Sequence, residues 1–196
     1  SLTLLADPGL AAAAETARVY AEAANRARDL QSTPANFAKP EDLAARAEQI
    51  AAGSDAVSAE ILGPDELERK GMGGLLAVSQ GGPVEPRLIV LRYAGGGSGA
   101  KLGLVGKGVT FDTGGISLKS GAGMQEMKYD MSGAAAVLEA VAAIAELGLA
   151  LDLVAVVPAT ENMPSGTAIK PGDVITHYNG TTVEVNNTDA EGRLVL

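Results

Sequence analysis

Apolar residues at helical spacing dominate the first fifty positions. Leu10, Ala14, Val19 and Ala23 recur through an alanine-rich stretch that follows Asp7-Pro8, a pattern that predicts one long helix over residues 9–30. Ser32-Thr33-Pro34-Ala35-Asn36 interrupts it, and Pro40-Glu41-Asp42 opens a second helix through residue 52. Proline and acidic residues suit a first turn, where backbone N–H groups are free and the dipole favours negative charge. The period then changes. Residues 56–62 alternate as a strand, 64–70 read as a short helix, and 74–78 and 88–93 are apolar runs of strand length. The glycine-rich residues 95–99 read as a turn joining 88–93 to a neighbouring strand at 102–105. An alanine-rich helix is expected over 132–147, ending at Gly148, and 151–157 is a continuous apolar run of the kind buried on both faces. Two short runs, 174–178 and 182–185, flank Asn179-Gly180, a strong hairpin signal. Strand, helix, strand in this order predicts a layered α/β fold.

Composition narrows the chemistry more than the fold. The 196 residues suit one domain of ordinary size; 46% are hydrophobic and 20% charged, and no apolar run approaches the roughly 18 residues of a membrane span. A soluble protein is expected. The net charge of -9 has the wrong sign for a general binder of nucleic acid or anionic membrane. Cysteine is absent and His177 is the only histidine, so thiolate sites, cysteine nucleophiles and the two-histidine metalloprotease motif are excluded. Any metal must be held mainly by carboxylates. Ser1-Leu2-Thr3-Leu4-Leu5 lacks the basic region and long apolar stretch of a signal peptide, which makes the cytoplasm the expected compartment. The apolar ending at Leu194-Val195-Leu196 suggests a piece of a longer chain.

Polar residues gather in three places. Residues 105–119 form a glycine-rich stretch that carries Lys107, Asp112 and Lys119. It fails as a phosphate-binding P-loop, because position 101 is lysine and Gly108 stands where serine or threonine is required. Asp130 precedes the alanine-rich helix, where its plain role is to favour the helix N-terminus. Asp189, Glu191 and Arg193 alternate, so an extended backbone would aim all three to one side and build a local site, whereas a helix would turn Glu191 away. Four carboxylates, Asp112, Asp130, Asp189 and Glu191, could meet only with strong mutual repulsion unless cations neutralise them. Two divalent ions would do so, serving either peptide or phosphate-ester hydrolysis.

These residues resemble a known family, the M17 leucyl aminopeptidases or cytosol aminopeptidases. Asn187-Thr188-Asp189-Ala190-Glu191-Gly192-Arg193-Leu194 matches the family's signature octapeptide. Lys107, Asp112, Lys119 and Asp130 stand at the family's spacing, and Glu161-Asn162-Met163-Pro164-Ser165-Gly166 and Pro171-Gly172-Asp173-Val174 are similar to its other motifs. The likeness runs from Pro34-Ala35-Asn36 to the end of the chain.

The resemblance implies a mixed central sheet flanked by helices, truncated at its C-terminus, and a two-metal hydrolase that removes N-terminal residues, leucine and similar, from short peptides. One ion, zinc or manganese with magnesium as an alternative, would be held by Lys107, Asp112, Asp130 and Glu191, the other by Asp112, Asp189 and Glu191. Lys119 would stabilise the oxyanion, Arg193 would hold a bicarbonate ion acting as general base, and Met127 would line the pocket for the first side chain. His177 matches no catalytic position and is assigned to structure. Residues 1–32 would form the family's connecting helix and 33–196 the N-terminal part of its catalytic domain; the full-length family proteins are hexamers. A fragment that folds but lacks a completed substrate pocket is the alternative to an active enzyme.

Overall fold

The computed structural model describes residues 7–96 and 101–196. In chain order it comprises α1 (Ala11–Ser32), α2 (Pro40–Ala52), β1 (Val57–Leu62), α3 (Pro64–Arg69), α4 (Gly73–Ser79), β2 (Arg87–Ala94), β3 (Lys101–Val105), β4 (Gly108–Asp112), a 3₁₀ segment (Met124–Met131), α5 (Ser132–Glu146), β5 (Asp152–Asn162), the pair β6 (Val174–Thr176) and β7 (Thr182–Glu184), a 3₁₀ turn (Thr188–Ala190) and α6 (Gly192–Val195). Among the described residues no helix is long and apolar enough to cross a membrane.

The long strand β5 is the axis of a mixed sheet. It pairs antiparallel with β2, which pairs antiparallel with β1, and its other edge carries β3 and then β4, both parallel. Alternate residues of β2 and β5, including Ile89, Leu91, Leu153, Ala155 and Val157, pack one sheet face against α2 and α5 through Leu43, Ala47, Ala135 and Leu138. The opposite residues Leu88 and Val90 meet Leu67 of α3 and Leu75 of α4. Helix α1 lies over α5 through Val19, Ala23 and Ala143. This is the mixed sheet flanked by helices that the family resemblance implies.

Three local expectations change. Residues 74–78 are helical in α4, because the run is short and its burial comes from all sides: Gly74, Leu75, Ala77 and Val78 are all buried. The backbone of the C-terminal turn passes so close that a Cβ on Gly74 would stand 2.0 Å from the carbonyl oxygen of Leu194, a contact that only glycine permits. The turn over 95–99 lies partly outside the described residues, and the strands it joins are not neighbours, since β5 lies between β2 and β3. Finally β4, hidden among glycines and interleaved Thr110 and Asp112, is a true strand, with Val109, Thr110 and Asp112 buried.

The break between β3 and β4 has a simple cause. In register, Val105 faces Val156 and Gly108 faces Ala159, so Gly106 and Lys107 lie opposite Val157 and Pro158. Proline has no N–H to donate to a neighbouring strand. The backbone of Lys107 faces away from β5 at this break, and its carbonyl accepts the N–H of Ala134 at 2.9 Å, in the first turn of α5.

One buried charge ties the helical layer together. Glu139 of α5 is 1% exposed and accepts Nε of Arg26 of α1 at 2.6 Å, and Nε and Nη2 of Arg46 of α2 at 2.6 and 2.9 Å. Removing the carboxylate leaves two guanidiniums without their anion, but both reach solvent. Glu139→Ala should therefore cost about 2 kcal/mol, below the roughly 3–5 kcal/mol of breaking a fully buried pair. Thermal unfolding followed by circular dichroism checks this; an unchanged Tm would show that the triad contributes nothing.

Candidate metal centre

The C-terminal ends of β4 and β5 lie side by side, with Asp112 paired to Asn162. Crevices at the carboxyl ends of parallel strands are the usual ligand sites of open α/β sheets, and here three further segments converge on one. The first is the break at Gly106-Lys107. A Cβ on Gly106 would stand 2.5 Å from the carbonyl oxygen of Gly133, so glycine lets the strand end abut α5 and brings Lys107 beside Asp130 at the end of the 3₁₀ segment. The second is the loop after β4, which carries Lys119. The third is the turn over Thr188–Ala190 leading into α6, with Asp189 and Glu191.

Two ammonium groups face four carboxylates. Nζ of Lys107 lies 2.7 Å from Oδ2 of Asp130 and 2.5 Å from Oε1 of Glu191. Nζ of Lys119 lies 2.5 Å from Oδ2 of Asp112 and also contacts Oδ1 of Asp189. Burial opposes charge on both lysines, yet the contacts with these carboxylates raise their pKa above the ordinary lysine value. Asp130 is pushed up to about 6, chiefly by desolvation; Lys107 opposes the rise, while Asp112 and Glu191 add to it.

The donor set fits a divalent cation. Ligand atoms of Asp112, Asp189 and Glu191 all lie within 4.8 Å of one another. Four negative charges against two positive ones leave an excess of two negative charges. Glu191 is 2% exposed, and its buried Oε2 has no hydrogen-bond partner, a costly state for a carboxylate oxygen unless a cation is its counterpart. Oxygen donors suit magnesium and manganese and are accepted by zinc.

Thus Lys107, Asp112, Lys119, Asp130, Asp189 and Glu191 form one cluster. Met127 lies one 3₁₀ turn before Asp130, where side chains three apart stack on the same face. Arg193 stands differently from the expectation for an extended segment. The backbone is helical from Thr188 onward, with Asn187 Oδ1 accepting the N–H of Asp189 at 2.8 Å, so no local strand site forms. Arg193 is exposed, and among the described residues it makes no hydrogen bond or ion pair. His177 lies in the turn between β6 and β7 and lines an apolar cavity of about 470 Å³ with Leu75, Val156 and Leu194; none of the acidic cluster lines it. Sequence reading missed the supports beneath the ligands. Thr188, 1% exposed, donates to the carbonyl of Gly114 at 2.6 Å and accepts the N–H of Ser117 at 2.8 Å. Only its place inside the octapeptide hinted at such a role.

Comparison with known proteins shows the family and the fold. The model of the cytosol aminopeptidase family, catalytic domain, matches residues 25–196. A "Probable cytosol aminopeptidase" of Halorhodospira halophila is 59% identical over 174 residues, covering 88% of this chain and 35% of that protein. One of Syntrophotalea carbinolica is 56% identical over 189 residues, covering 96% of this chain and 38% of that protein. Among solved structures, the bottromycin maturation enzyme BotP in complex with Mn has a TM-score of 0.90 at 41% identity, covering 98% of this chain and 41% of that one. The chain thus spans well under half the length of the relatives it matches.

One residue before Asn162 on β5, Glu161 is half-buried and its pKa is raised, by desolvation first, with Lys39 opposing. A carboxyl whose folded pKa exceeds its unfolded value binds more protons in the folded state, so its contribution to stability is lost as pH rises through the folded pKa. Glu161→Gln should accordingly raise Tm relative to wild type near pH 7, with the difference shrinking as pH falls toward 4. A difference that grows on acidification would contradict this.

Proposed function

Because the chain belongs to the cytosol aminopeptidase family through its catalytic domain, we propose that its acidic cluster is the metal site of an aminopeptidase that removes the N-terminal residue, leucine and similar, from short peptides. The observation that carries this reading is the meeting of Asp112, Asp189 and Glu191 within 4.8 Å, with Lys107 and Asp130 joined to them through Glu191. On this reading Lys107, Asp112, Asp130 and Glu191 hold one divalent ion and Asp112, Asp189 and Glu191 the other. The manganese named for BotP makes Mn²⁺ a first choice beside Zn²⁺, with Mg²⁺ a further option. Two such ions would supply Lewis acidity, acidifying a water and polarising the scissile carbonyl.

The chain's own residues would do the rest. Lys119, whose ammonium contacts Asp112 and Asp189, would be a donor for the developing oxyanion. Lys107 must lose its proton to act as a ligand, since an ammonium has no lone pair. The exposed fork of Arg193 suits a planar anion such as bicarbonate, which would take the proton of the attacking water. Met127 would line the pocket for the first side chain. Residues 1–32 would serve as a connecting helix ahead of the catalytic domain begun at 33. A cytoplasmic, hexameric parent protein that binds neither nucleic acid nor membrane completes the proposal.

A second reading, a domain that holds ions without turnover, draws on the chain's length relative to its relatives, because residues beyond the 35–38% matched in them would finish the substrate pocket. The test is hydrolysis of a leucine anilide by the chain with added Mn²⁺ or Zn²⁺, together with titration of each ion. Metal-dependent turnover that falls about 10²–10³-fold in Lys119→Ala and is lost in Asp189→Ala is the expected result. Uptake of two ions without turnover favours the second reading. A folded chain that binds no ion, or that cleaves a phosphate ester and not the amide, overturns the proposal.

A further inference from the structure

Asp112 has two oxygens, and by the reading above it would be a ligand to both ions, so the rotation of its carboxylate decides which atom is presented to the site. That rotation is fixed from behind. Asn162, 1% exposed, is the last residue of β5 and lies in register with Asp112 at the end of β4. Its side-chain amide donates to Oδ1 of Asp112 at 2.8 Å and to the carbonyl oxygen of Thr188 at 3.0 Å. Both partners are pure acceptors, so only the nitrogen can face them. The same Oδ1 accepts the N–H of Gly114 at 2.9 Å. With two donors on Oδ1, Oδ2 is the oxygen turned toward the cluster, where it meets Nζ of Lys119 at 2.5 Å.

We propose that Asn162 is a positioning residue that locks the Asp112 carboxylate with Oδ2 turned into the metal centre and ties it to the turn carrying Asp189 and Glu191. The inference rests on the metal-site reading above. An amide suits this role because its N–H groups orient an anion while it brings no formal charge to compete with a cation for the carboxylate. A lysine or arginine in its place would neutralise the ligand it oriented. The second bond, to Thr188, sets the distance between strand end and turn, so that three carboxylates on two separate elements converge.

Thr113 provides the comparison that separates positioning from general adhesion. Its buried hydroxyl donates to the main-chain carbonyl of Asn162 at 2.8 Å, in the same corner of the fold, without touching the carboxylate of Asp112. If Asn162 is mere scaffolding, removing either group should have similar consequences. If it positions the ligand, the two should differ in metal affinity even at equal loss of stability.

The experiment is calorimetric titration of Mn²⁺ into the metal-free chain for wild type, Asn162→Ala, Asn162→Ser and Thr113→Val, with Tm and far-ultraviolet circular dichroism of each metal-free protein. Expected is a 10–100-fold weaker Mn²⁺ affinity in the Asn162 variants, the usual consequence of losing a group that orients a ligand, and an affinity within about twofold of wild type in Thr113→Val. The electron paramagnetic resonance spectrum of bound Mn²⁺ should change in the Asn162 variants alone. Wild-type affinity in a folded Asn162 variant overturns the proposal, as does failure of both Asn162 variants to fold while Thr113→Val folds, which would make the residue scaffolding. Absence of Mn²⁺ uptake by wild type would instead overturn the metal reading itself.

Discussion

Carboxylates repel one another, and bringing Asp112, Asp130, Asp189 and Glu191 together in a half-buried crevice is the constraint around which the molecule is built. Two lysines answer half of that charge, each bridging two acids from different parts of the backbone. The remaining negative excess and the buried Oε2 of Glu191, which has no hydrogen-bond partner, are what make the crevice a fit for a cation. Partly buried like charges of this kind cost stability, so a rigid framework is needed to hold them together.

The sheet supplies that rigidity. β5 is long enough to carry β2 along one edge and two parallel strands in succession along the other, and the break opposite Pro158 turns a flaw in the ladder into the position of Lys107. The Lys107 carbonyl, turned away from β5, is held by α5, so the lysine backbone is anchored while its side chain reaches Asp130 and Glu191. At the far end of β4, past a bulge at Thr110, the pairing resumes and sets Asp112 in register with Asn162. Buried hydrogen bonds through Thr188 fasten the last turn to the loop after β4. Each acid is thus placed by an element with little freedom of its own.

The helical layer acts differently. α2 and α5 cover one sheet face with apolar contacts, and Glu139 pins α1, α2 and α5 through two arginines. By holding α5 against the sheet, this layer keeps the close approach of Gly106 to Gly133 and with it the Lys107 to Asp130 contact. Packing far from the carboxylates therefore reaches them through one helix.

Sequence by itself determined much. Helical spacing located α1, α2 and α5, and apolar runs located β1, β2, β3 and β5. The Asn-Gly turn located the β6–β7 pair, and the motifs around Lys107, Asp112, Lys119, Asp130, Asp189 and Glu191 named the cluster. These signals are local, carried by residues within a turn or a strand of one another. Tertiary structure decided what depends on contacts between distant segments. Residues 74–78 became a helix because neighbours crowd the run from several sides. β4 emerged from a glycine-rich stretch because an edge of β5 was waiting for it, and β5 came between β2 and β3. The octapeptide folded into a helical turn, which delivered Asp189 and Glu191 to strand ends instead of building a site of its own with Arg193. Asn162 acquired its role only by lying in register with Asp112, since nothing along the chain marks which oxygen of a carboxylate will be held and which left free.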